Sequence, residues 1–160
     1  MSAVNEIQIH GRFAGPDTVL RKVRQTVVKS FDDNIYQNFT ETAADCFNFS
    51  NSELHMDEVY GSNWSESVED AVKQLIKIPE LKFEFEIYEF YDEGIEDRKY
   101  IFTGEKLYLL LFTKDRKESY KCFLLDKDLR EKKLKSIPEF TCGNYYSGYA
   151  AFPNFIYLKN

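Results

Sequence analysis

Cysteine, histidine and tryptophan are scarce in this chain, and each scarcity closes off a class of function. The three cysteines, Cys46, Cys122 and Cys142, are odd in number and far apart. They form neither a disulfide framework nor a C-x-x-C pair, which points to a reducing cytosol. Only two histidines occur, His10 and His55, with no H-x-x-x-H spacing, so no metal site is expected. No cofactor is expected either, since G-x-x-x-x-G-K-[ST] is absent and no nucleophile sits in a glycine-rich elbow. No apolar run approaches the roughly 20 residues that span a bilayer. The opening MSAVNEIQIH lacks the basic and apolar regions of a signal peptide. A cytoplasmic chain with no membrane contact is the expectation.

Aromatic residues are abundant instead: 14 Phe and 11 Tyr against a single Trp. Such residues favour strands and bring much apolar area each, so a sheet-rich core is expected. With 160 residues the chain is read as one domain. Its centre is Leu81–Tyr91, LKFEFEIYEFY, where Leu81, Phe83, Phe85 and Ile87 alternate with Lys82, Glu84 and Glu86. Successive side chains of a strand point to opposite faces, so this alternation predicts one buried and one wet face. A slip of one residue would exchange the two.

Around that strand the chain alternates. Glu6–Phe13 reads as a strand, with Ile7, Ile9 and Phe13 on one face. Pro16-Asp17 starts a helix whose stripe is Val19, Leu20, Val23, Val27 and Val28. The pattern weakens from Phe31 to Ser52, apart from a short strand at Cys46–Phe49, and Glu53–Tyr60 reads as another strand. Ser65 or Ser67 caps a second helix with Val68, Ala71, Val72, Leu75 and Ile76 buried, and Pro79 ends it. Lys99–Thr103, Leu107–Phe112 and Ser119–Leu125 read as strands, the middle one apolar on both faces. Asp126–Lys135 reads as a short helix and Phe155–Leu158 as a last strand.

This order suggests an α+β fold of ferredoxin-like type: an antiparallel or mixed sheet, two helices on one face, and a strand-rich C-terminal extension. The single domain 1–160 would divide into a core, 1–112, and an extension, 113–160, packed on it. Asn5-Glu6-Ile7-Gln8-Ile9-His10-Gly11 resembles the opening N-x-hydrophobic-x-hydrophobic-x-G strand of the YubB family of ferredoxin-like proteins. Trp64-Ser65, the helix after it, Pro79-Glu80-Leu81-Lys82-Phe83-Glu84-Phe85 and Gly94 are similar to that family's W-S, helix, P-x-L-x-F and acidic-glycine series. The resemblance covers roughly residues 5–110. It implies the ferredoxin-like fold and a setting on plasmids, phages and bacterial genomes, and it carries over no catalytic residue.

Charge is unevenly placed. The net −6 arises in residues 1–80, with 13 acidic and 7 basic side chains, while residues 81–160 hold 14 of each. Within the second half, Glu84, Glu86, Glu89, Asp92, Glu93, Glu96 and Asp97 follow one another with no base between them. A basic run follows later: Lys127, Arg130, Lys132, Lys133 and Lys135. The acidic run is the candidate partner-binding surface, able to steer a protein with a basic surface or to mimic a nucleic acid. Tyr145, Tyr146 and Tyr149 form a second candidate surface.

Two other functions compete with this one. Glu84 and Glu86 lie about 7 Å apart on one strand face, a spacing open to paired-carboxylate catalysis. Solubilising glutamates are far commoner there. Tyr88, Phe90, Tyr100, Tyr108 and Tyr120 could stack on RNA bases as an RNA-recognition motif does. No such motif's signature is present, and the glutamates would repel phosphate. A small non-enzymatic interaction module is therefore the leading expectation, of oligomeric state left open.

Overall fold

The structure, a computed structural model, describes residues 5–34, 48–50, 52–61, 64–91, 94–136 and 157–158. Its elements in order are β1 (Asn5–Ala14), α1 (Asp17–Asn34), β2 (Asn48–Ser50), β3 (Glu53–Gly61), α2 (Trp64–Leu75), β4 (Lys82–Tyr91), β5 (Gly94–Phe102), β6 (Leu107–Lys114), β7 (Glu118–Leu125) and β8 (Glu131–Leu134). The eight strands form one sheet in the order β2-β3-β1-β4-β5-β6-β7-β8.

Every pairing in that sheet is antiparallel. The ferredoxin-like expectation fails on the size and connectivity of that sheet. In the split ferredoxin-like arrangement the strands flanking a helix run parallel with another strand between them, whereas β1 and β3, on either side of α1, are direct antiparallel neighbours. Here β1 sits between β3 and β4 and runs antiparallel to both. From β4 onward, the chain simply meanders through five neighbouring strands to β8. The alternation of strands and helices was legible; which strands become neighbours was not.

The two helices pack against each other, and their apolar stripes join Phe83, Phe85 and Ile87 of β4 in the main core. Helix α1 begins as Val19 and Leu20 donate to the Pro16 carbonyl at 2.9 and 3.0 Å. Its buried side chains, Val19, Val23, Val27 and Phe31, recur every fourth residue, one face of a 3.6-residue period. It runs one to two turns beyond the valine stripe because Phe31 is fully buried. Ser30, the residue before it, hydrogen-bonds its hydroxyl to the Thr26 carbonyl at 3.0 Å. Helix α2 buries Val68, Ala71, Val72 and Leu75, and also Ser67. After it, Lys77 and Ile78 donate to the carbonyls of Gln74 and Leu75, and Glu80 takes φ 67°, which turns the chain into β4.

The other sheet face carries a second apolar cluster of Ile101, Tyr108, Leu110, Phe112 and Cys122, against which Tyr157 packs. This explains why β6 is apolar on both sides: Leu107 and Leu109 join the main core while Tyr108, Leu110 and Phe112 join the second.

The short helix expected over Asp126–Lys135 is instead a tight turn and strand β8. Asp126 Oδ1 accepts from the Asp128 and Arg130 amides at 2.9 Å each. Leu129 takes a left-handed φ of 62°, a conformation that stops helix growth. The Asp126 side chain thus closes a hairpin, and those backbone bonds, to Arg130 first, hold its carboxyl below the usual range. Of the expected last strand, Phe155–Leu158, only Tyr157 and Leu158 lie among the described residues, and they form a bend. Cys46 and Phe47 of the expected short strand also lie outside them, while β2 covers Asn48–Ser50.

Candidate functional site

Strand register decides what the acidic run can do. On the face opposite the helices, neighbouring strands line up Glu53, Arg12, Glu84 and Ile101 in one row. The next row holds His55, His10, Glu86 and Lys99, and a third holds Gln8, Tyr88 and Asp97. A polar grid thus adjoins the second apolar cluster on one sheet face.

This face is not wet. Glu84 is 1% exposed, Glu86 6%, Asp97 0% and Lys99 2%. The expectation that Glu84, Glu86 and Asp97 belong to an exposed partner-binding surface is therefore wrong. Period-two alternation separates two faces, but it does not say that the polar one is open to water. The cations that occupy these carboxylates come from neighbouring strands, a relation set by register.

Glu84 is fully engaged. Its Oε1 lies 3.5 Å from Lys99 Nζ, and its Oε2 accepts from the amide of Tyr157 at 2.7 Å and from that of Leu158. Arg12 bonds Glu53 through Nε at 2.9 Å and through Nη2. Its Nη1 donates to the Leu158 carbonyl at 2.8 Å. Beside them, His10 Nδ1 and His55 Nδ1 are 3.1 Å apart with the rings edge to face. One ring must donate and the other accept.

Glu86 has the least settled environment. Its Oε2 is buried with no hydrogen-bond partner among the described residues. Burial pushes its carboxyl above the ordinary 4.5, and the charge of Glu84 adds to the rise; Lys99 and a hydrogen bond with Asp97 oppose it. Paired-carboxylate chemistry would need Glu84 and Glu86 open to a substrate. Here Glu84 already holds a cation and two amides. Among the described residues, no group of three or more His, Cys, Asp or Glu side chains is placed to hold a metal.

Glu89 and Glu96 meet on the helix side, directly opposite one another on β4 and β5, and both are half-buried. Burial raises the Glu89 carboxyl, and the facing Glu96 raises it further. Arg98 Nε bonds Glu96 at 2.7 Å, and its Nη1 reaches Glu69 of α2 at 3.4 Å. Burial works against the Arg98 charge, but Glu96 outweighs it and holds the guanidinium's pKa above its usual value. Tyr100 on the next inward position is pushed up to about 12, chiefly by burial. Phe90 follows Glu89, points to the opposite face and pairs in register with the half-buried Ile95. At 39% exposure Phe90 is the one exposed large apolar side chain among the described residues. Asp92 and Glu93, and the second candidate surface of Tyr145, Tyr146 and Tyr149, lie outside those residues.

Of the rings offered for RNA stacking, Tyr88, Tyr100 and Tyr108 are buried, Tyr120 is half-buried against Phe112, and Phe90 is exposed. The basic run is exposed at Lys127, Arg130, Lys132, Lys133 and Lys135, along the edge strand β8. Charged side chains on an edge discourage pairing with other sheets. A groove of about 580 Å³ between α1 and β2 is lined by Asp17, Leu20, Arg21, Arg24, Phe49 and Ser52. The Arg24 guanidinium lies 5.3 Å over the Phe49 ring there. None of the candidate carboxylates lines it.

No family model, curated protein or solved structure matches this chain. No helix among the described residues is long and apolar enough to cross a membrane.

Proposed function

We propose that this chain is a non-enzymatic interaction module of the cytoplasm. It binds a protein with a basic surface through the free end of the β4–β5 pair. The observation that carries this reading is Phe90, exposed at that strand end across from Ile95, on the face opposite Glu89. Phe90 on one face and the half-buried Glu89 and Glu96 on the other give this strand end an apolar anchor and a nearby charge for a partner that wraps around it. The acidic surface is narrower than the run of seven carboxylates, because three of them are buried; Glu89 and Glu96 are its described members. The YubB-like resemblance, its implied fold having failed, adds only a plasmid or phage setting, in which a host protein is the partner.

Affinity capture from lysate with the wild-type chain, followed by kinetics on the recovered partner, tests this. Phe90→Ser should lower affinity about tenfold or more by raising the off-rate. Glu89→Lys should lower the on-rate, most at low salt. A partner bound equally well by both variants at all salt concentrations overturns the reading.

A further inference from the structure

His10 and His55 are 45 residues apart in the chain and directly opposite one another in the β1–β3 register. No H-x-x-x-H spacing announces them; the sheet brings them together. Their Nδ1 atoms lie 3.1 Å apart, with the ring planes at 80°. The frame beneath them is firm. Ile9, next to His10, and Leu54, next to His55, are buried in the main core on the helix side. The two imidazoles therefore leave the sheet side by side from the opposite face. Both residues are half-buried, which keeps them within reach of water.

That separation fits a shared ion. Two imidazole nitrogens at about 2.0–2.1 Å from one zinc ion stand about 2.9 Å apart at a right angle and about 3.4 Å apart at the tetrahedral angle. The observed spacing falls between these, so neither ring has far to travel. In the neutral pair one ring carries its proton on Nδ1; moving it to Nε2 of the same ring turns both Nδ1 lone pairs to the ion without changing the charge.

The surrounding charges favour a cation as well. Arg12 and Lys99, the cations of the polar grid, are matched by Glu53 and Glu84. Glu86 faces His10 in register on β4, and its Oε2 is buried with no hydrogen-bond partner among the described residues. A buried carboxyl oxygen without a donor, one strand from two imidazoles, is a second and independent mark of a site for positive charge. No third His, Cys, Asp or Glu among the described residues is placed to ligate, so Glu86 acts as counter-charge and water fills the remaining positions. An ion held here would also tie β1 to β3 beside the irregular register between Ile7 and Ile9.

We propose that His10 and His55 hold a divalent transition-metal ion of the kind that imidazole selects, zinc first, between their Nδ1 atoms. The inference is independent of the partner-binding reading, which concerns the free end of the β4–β5 pair.

Zinc chloride titrated into the full-length, ¹⁵N-labelled chain tests this by long-range histidine-ring NMR. The chain has only two histidines, so every ring signal belongs to the pair. Both Nδ1 signals should shift together and saturate at one ion per chain. His10→Gln and His55→Gln should each bind zinc at least about tenfold more weakly, because two ligands on one rigid frame act as a chelate. The titration of the wild-type chain decides the matter even if a variant lacks native circular dichroism. The proposal is overturned if both Nδ1 signals stay in place at about 1 mM zinc, a limit that any chelate worth the name would pass. Zinc that binds both variants as tightly as wild type, as it would if held by thiols, overturns it equally.

Discussion

Glu84 and Lys99, on adjacent strands, hold carboxylate and ammonium 3.5 Å apart with almost no exposure to water. Two charges brought out of water gain from each other roughly what their dehydration costs, so the pair need add little to stability. Removing one member is a different matter. Lys99→Met leaves the buried Glu84 without its cation, and should cost about 3–5 kcal/mol. Urea midpoints with unchanged slope would measure it. The double variant Glu84→Gln/Lys99→Met should recover part of the loss, and a single-variant loss below about 1 kcal/mol would contradict the pairing.

The raised carboxyl of Glu86 makes stability fall as pH rises. Below the ordinary value of 4.5 both folded and unfolded chains hold the proton. Between that pH and the higher folded value, the unfolded chain releases it while the folded chain keeps it, which favours unfolding. Above the folded value this loss is complete. Glu86→Gln, whose amide can still hydrogen-bond Asp97, should flatten this slope and be more stable than wild type at neutral pH. Denaturant curves taken from acid to neutral pH would show it, and an unaltered slope would contradict it.

Gly94 begins β5 where no side chain fits. A Cβ there would lie 2.2 Å from the Lys114 carbonyl oxygen. Because the obstacle is backbone, Gly94→Ala must shift β5 against β6, and should cost about 1–3 kcal/mol, as overpacking does. Hydrogen exchange should show the loss first at Ile95 and Lys114, which pair in register. Equal protection in both proteins would refute this.

Glu89 opposite Glu96 is an unfavourable cross-strand pair. Like charges directly opposed destabilise by a few tenths of a kcal/mol to about 1 kcal/mol. Glu89→Gln should therefore raise the thermal midpoint slightly while slowing association with a basic partner. A variant that loses stability instead would show that the Glu89 carboxylate is a structural group.

The central strand was legible because its apolar positions are large and strictly alternate: Phe83, Phe85 and Ile87 are buried on one face. Both helices were legible from their valine and alanine stripes. The fate of the opposite face was hidden, because Glu84 is neutralised by residues far away in sequence, Lys99 and the amides of Tyr157 and Leu158. Arg12 at the start of the chain and Leu158 near its end meet on that face, and no local pattern reports such a meeting. A buried polar face can be suspected when the strand beside a run of glutamates carries a lysine leading into an apolar run, as Lys99-Tyr100-Ile101-Phe102 does. The β7–β8 hairpin was misread because an aspartate followed by polar residues begins a helix and a tight turn alike; the left-handed Leu129 decides between them.

The placing of β1 between β3 and β4 also separates local from distant contacts in the sheet. The hairpins from β4 to β8 join neighbours in the chain and need only short loops to close. The centre of the sheet does not: Ala14 must find Lys82, and Glu6 must find Phe90. Contacts between such distant residues slow folding, since the loop between them must be closed before they form. On the ribosome, β1 emerges first and then waits for β4 with one edge unpaired. The first strand of the sheet to be made thus waits through more chain for its second neighbour than any strand after it.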